Sequence, residues 1–143
     1  MRTTLTLLAA WALIVPSAGA DDAKKDDTKK DAVRKIDLTG FKAERARGTV
    51  EKPLEINSAE DLARTFTDKE IQERIKKDVN FETEKLLFFA WAGSGGDKLA
   101  FTVEKGTDAP VVMFTHTPGL TRDLRQHFLL YAMPKKATFK VGK

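Results

Sequence analysis

His116 and His127 are the only histidines of this chain, and there is no cysteine. An imidazole can ligate a metal or move a proton near neutral pH. The two could share a site if their strands pair. Two imidazoles are one ligand short of a catalytic zinc site, which takes three protein ligands. Asp97, Glu104 or Asp123 would have to complete it, so a satisfied or solvent-facing histidine is the simpler expectation, with no metal and no cofactor. Ser94 sits in Gly93-Ser94-Gly95-Gly96. A nucleophile elbow needs a helix after the serine and a histidine delivered to it. Here a strand pattern follows. The same turn lacks the lysine–hydroxyl ending of a phosphate-binding loop, and is expected to be a hairpin turn. Glu82/Glu84 and Asp21/Asp22 lie on polar segments where nothing would raise a carboxyl pKa for acid–base work. No catalytic residue is expected, and the chain reads as a non-enzyme.

Binding chemistry is better represented. Pro118-Gly119-Leu120-Thr121-Arg122-Asp123-Leu124-Arg125 places two arginines, a threonine and two leucines on a connector between strands. Loops on a rigid sheet are where binding groups usually lie. Arg122 and Arg125, at i and i+3, could grip a carboxylate or another anion, and Trp91 could add a stacking face. Against this, Asp123 could pair with the arginines at the surface for under about 1 kcal/mol, and Trp91 could be core. Arg122, Arg125 and Trp91 are the candidate binding residues.

These side chains must be positioned by a small set of elements. The organising one is Lys85-Leu86-Leu87-Phe88-Phe89-Ala90-Trp91-Ala92-Gly93, an apolar run closed by a glycine turn. Such a run predicts a central strand buried on both faces. Before it, Gly48 to Ile56 predicts a first strand, with Val50, Leu54 and Ile56 on one parity and Pro53 confining it to an edge. Asn57 or Ser58 caps a helix with Leu62 and Phe66 on one face. Thr67 or Asp68 caps a second, in which Ile71, Ile75 and Val79 recur every four residues opposite Glu70, Glu73, Arg74, Lys76 and Lys77. After the central run, Leu99, Phe101 and Val103 alternate with polar residues. Val111–Thr117, Gln126–Met133 and Thr138–Val141 complete the strands. The fold class is α+β, a small antiparallel sheet of about five to six strands in a meander with one or two helices packed on one face.

Residues 1–20 read as a signal peptide: Met1-Arg2, an apolar stretch from Leu5 to Val15, and Ala18 and Ala20 in cleavage spacing. The stretch is too short for a spanning helix, so no stable membrane anchor is expected. Cleavage after Ala20 makes the protein periplasmic or secreted, in an envelope of bacterial type, where a domain without cysteine must hold itself together by packing alone. Residues 21–47 follow as a charged flexible linker. Within it Ile36, Leu38 and Phe41 could dock on the single domain, residues 48–143. The net charge of +4 comes from interspersed Lys, Arg, Asp and Glu. No basic face with interleaved aromatics is present, so nucleic acid is not an expected partner.

From Leu54 to Val103 the order of features resembles the PrcB C-terminal-like domain of secreted bacterial proteins. The correspondence lies in Ser58 and Glu60-Asp61-Leu62 at the helix start, Asn80-Phe81 before the hydrophobic strand, and the glycine-containing turn after it. The lipidation cysteine is missing, and Pro118–Arg125 follows no pattern of the family. The resemblance implies a non-catalytic partner of another exported protein, and brings no catalytic residue. The leading expectation is therefore an accessory or interaction domain of unknown oligomeric state that binds another envelope protein. A small-ligand or cell-wall-glycan module built from Trp91, Arg122 and Arg125 around the Gly93–Asp97 turn is the alternative, and a hydrolase with an unrecognised site a distant third.

Overall fold

A computed structural model describes residues 33–42 and 49–142. The expected signal peptide and most of the expected linker lie outside them. The chain is α+β, with two helices and seven strands among the described residues: β1 (Arg34–Ile36), β2 (Leu54–Ile56), α1 (Ala59–Thr65), α2 (Lys69–Asp78), β3 (Glu84–Ser94), β4 (Lys98–Glu104), β5 (Val111–Thr117), β6 (Leu124–Pro134) and β7 (Thr138–Gly142).

The strands form two sheets, ordered β1-β6-β3-β2 and β4-β5-β7. β3 and β6 are antiparallel over their whole length, from Glu84 opposite Pro134 to Ser94 opposite Leu124. Because side chains alternate along a strand, this ribbon feeds two cores. Leu86, Phe88, Leu130 and Ala132 meet Leu62, Ile71 and Ile75 of the helices and Phe66, which caps the end of α1. Leu87, Phe89, Trp91, Tyr131 and Met133 meet Val112 and Phe114 of the second sheet. Each fully buried large side chain contributes roughly 1.5–3 kcal/mol.

The three layers explain where the single meander departs from the observed topology. One sheet with helices on one face would leave Leu87, Phe89 and Trp91 in water. Folding β4, β5 and β7 over as a separate layer covers them. β3 therefore pairs with β6 and not with β4, and Gly93–Asp97 is a crossing between sheets instead of a hairpin. β6 lies in the other sheet, between β5 and β7 in sequence, so those two run the same way and pair in parallel.

The helices start where capping chemistry allows. Ser58 Oγ accepts from Asp61 N at 3.1 Å, and Asp68 Oδ1 accepts from Glu70 N at 2.9 Å, each satisfying an orphan donor of a first turn. The first strand is shorter than expected. Thr49 O accepts from Lys52 N in a turn, β2 begins only after Pro53, and Val50 is buried in the second core while Leu54 is half exposed. The expected linker is also shorter. Arg34–Ile36 pairs with Leu130–Ala132 as a strand, and Phe41 packs edge-on against Phe66 and Phe128 at 5.0 and 5.2 Å.

Candidate functional site

Two crossings between the sheets lie side by side at one end of the β3–β6 ribbon. Gly93–Asp97 carries the chain from β3 to β4, and Pro118–Asp123 carries it back from β5 to β6. Asp97 links them. Its Oδ1 accepts from Gly119 N at 2.7 Å, and its Oδ2 accepts from Trp91 Nε1 at 2.9 Å. Ser94 Oγ accepts from Thr121 N at 3.1 Å and lies 2.6 Å from Thr121 Oγ1. Gly95 N donates to Asp123 Oδ1 at 3.2 Å. A Cβ on Gly119 would meet Gly96 Cα and carbonyl carbon at 2.6 and 2.4 Å, so only glycine lets the two backbones approach this closely.

Gly119, Thr121 and Asp123 thus bond inward, and the residues between them are left facing out. Leu120 is 99% exposed and Leu124 77% exposed. Arg122 is exposed and makes no hydrogen bond or ion pair among the described residues. Leu120 is carried on a backbone bonded at Gly119 and Thr121 to the neighbouring crossing.

The three candidate binding residues fare differently. Trp91 is 5% exposed and is not available as a stacking face. Its ring stacks on His127 at 4.7 Å and meets His116 edge-on at 5.7 Å. Arg125 is exposed, with its Nε bonded to Asp123 Oδ2 at 2.6 Å. Of the three, only Arg122 is uncommitted among the described residues, and no paired guanidinium grip is formed there. The leucines, named in the sequence only as part of the connector, carry the more telling exposure. The available signal was their alternation with Gly119, Thr121 and Asp123, but alternation alone does not say which parity is tied down.

The two histidines lie on strands that do not pair, and both contact the Trp91 ring. His127 stands opposite Trp91 in the β3–β6 pairing, and His116 comes to the same ring from the second sheet. His127 Nε2 is 2.8 Å from the carbonyl oxygen of Ser94, not from its hydroxyl. His116 Nε2 stands 3.4 Å from Asp97 Oδ2, poorly aligned for a hydrogen bond, and has no other polar partner among the described residues. Among the described residues no group of three or more His, Asp or Glu side chains is arranged to hold a metal ion. Glu84, read from the sequence as wet, is 4% exposed. It is held by Arg34, through Nη1 and Nη2, and by Asn80 N at 3.0 Å.

Electrostatics reinforce the loop's anchorage. The Thr121 hydroxyl, the Arg125 guanidinium and Gly95 N–H hold the Asp123 carboxyl down at about 2. Gly119 N–H and the Trp91 indole lower that of Asp97. A carboxyl depressed in the folded state stabilises the fold fully above its unfolded value near 3.8, and that contribution is lost as pH falls through the folded value. The expected result is a thermal midpoint that drops between pH 4 and about pH 2, with a shallower drop in Asp123→Asn. Midpoints of the two proteins recorded across that range check it, and parallel curves would contradict it.

A cleft of about 470 Å³ lies at the opposite end, lined by Glu82, Asp108, Pro110, Pro134 and Lys136 among others, and contains none of the candidate binding residues. No helix among the described residues is long and apolar enough to cross a membrane. Comparison with protein-family models, with curated proteins and with solved structures finds no match to this chain.

Proposed function

We propose that this chain is an exported, non-catalytic interaction domain, and that it binds another envelope protein through the outward face of the Pro118–Arg125 loop. The observation that carries the proposal is the alternation in that loop. Three residues are bonded into the neighbouring crossing, while Leu120, Arg122 and Leu124 project from the same short segment. A segment ordered before binding loses little conformational entropy when it docks. Leucines beside an uncommitted arginine suit a partner with an apolar groove and an acidic rim. The order of features shared with the PrcB C-terminal-like domain supports the same role, as does the leader-like start of the sequence.

The purified protein, immobilised and exposed to envelope extract, is expected to retain a partner that the double variant Leu120→Ser, Leu124→Ser loses. The expected weakening is about tenfold or more, the scale for anchor residues at an interface centre. Arg122→Ala is expected to weaken capture less and to reduce its salt sensitivity. All three side chains are exposed, so the unfolding midpoint should not move. Equal capture by the double variant removes the loop from the proposal.

A further inference from the structure

We infer that the free edge of β4 is a self-association surface, on which a second copy of this chain pairs antiparallel about Phe101. Four strands end a sheet: β1, β2, β4 and β7. β1 and β2 are three residues long, and Pro53 precedes β2. β7 is five residues long with lysine at its centre. Such edges are short or charged, the usual defences against pairing with another chain. β4 is longer, and its charges stand only at its two ends. It runs seven residues, contains no proline, and is uncharged from Leu99 to Val103. Among the described residues only β5 pairs with it.

Its side-chain order is self-complementary. Two-fold antiparallel pairing centred on Phe101 sets Lys98 opposite the partner's Glu104, Leu99 opposite the partner's Val103, and Ala100 opposite the partner's Thr102. Every pair joins residues of like parity, so the inward face of one copy continues as the inward face of the other. Val103, 50% exposed, gains an apolar neighbour. Lys98 and Glu104 make no ion pair among the described residues, and the residues facing them on β5 are Thr117 and Val111. Both are free to pair across the two-fold. A slip of one residue sets inward side chains against outward ones, and a slip of two forfeits both charge pairs. Parallel in-register pairing sets lysine on lysine and glutamate on glutamate, which is unfavourable. The product is a closed dimer with one continuous sheet, β7-β5-β4 joined to its symmetry copy.

The test is the mass of the purified protein by sedimentation equilibrium at concentrations up to about 1 mM. The wild type is expected to dimerise. Lys98→Glu and Glu104→Lys are each expected to raise the dimer dissociation constant about tenfold or more, since two attractive cross-strand pairs become repulsive. The combined exchange, and an equimolar mixture of the two single variants, should dimerise as the wild type does, because both restore opposite charges at each position. Val103→Lys, which turns a charge inward at the edge, should be monomeric with an unaltered circular dichroism spectrum. A wild type that stays monomeric throughout, single variants that dimerise undiminished, or an exchange that fails to recover would each overturn the inference.

Discussion

Replacing Arg34 by alanine is expected to cost roughly 3–5 kcal/mol of folding free energy, read as a fall in the urea midpoint near neutral pH. Glu84 is buried where β3 begins, and the donors that meet it include both terminal nitrogens of Arg34 and Asn80 N. Arg34 also donates from Nη2 to Asp78 O at 2.6 Å, at the end of α2. One guanidinium therefore ties together β1, the close of the helical layer and the start of the central strand. Truncating it strips a buried carboxylate of its cationic partner. Removal of one partner is costly for that reason, whereas removal of both is not. Arg34→Met combined with Glu84→Leu should recover much of the loss, since two apolar side chains then fill the same space. A double-mutant cycle in which the two losses simply add would show that the pair is uncoupled. The result also bears on where the domain begins, because a strong effect at Arg34 makes residues 34–36 part of it.

Asp97→Ala is expected to cost roughly 2–4 kcal/mol, as two part-buried donors, Gly119 N–H and Trp91 Nε1–H, lose their acceptor at once. Asp97→Asn should cost less. Its carboxamide oxygen can still accept from one donor, while its NH₂ faces the other. The loss should extend to function. Asp97 is one of the ties that hold the Pro118–Asp123 crossing, so the alanine variant should bind a partner of Leu120 and Leu124 more weakly even where it is fully folded. Chemical denaturation and partner capture on the same preparation separate the two effects. A stable variant with undiminished capture would mean that the bonds of Ser94, Gly95 and Gly96 to Thr121 and Asp123 suffice to order the loop.

The helices were legible because their signals are local. A cap and a repeat of apolar residues every four positions act within one turn, so Ser58, Asp68, Ile71, Ile75 and Val79 behave as their spacing predicts. The central strand was legible for a similar reason. Its unbroken apolar run from Leu86 implied burial on both faces, and the cores on its two sides are the outcome. The candidate site was legible only as a segment. Arg122, Arg125 and Trp91 had equal standing in the sequence, yet the fold buries Trp91, occupies the Nε of Arg125 with Asp123 and leaves Arg122 exposed. The ion pair of Arg34 with Glu84 was not legible at all. Fifty positions separate its members, and each stands among other charged residues.

Local chemistry alone determined the α+β class, the helix starts and the face each strand residue shares with its neighbours. Alternation along a strand reports that Leu87, Phe89 and Trp91 point one way. It carries no information about which strand lies alongside or what covers that face. Tertiary structure decided the two sheets, the β3–β6 ribbon and the meeting of two distant loops around Asp97, because those follow from burying both sides of one strand at once. That requirement can be met only when the whole chain is assembled.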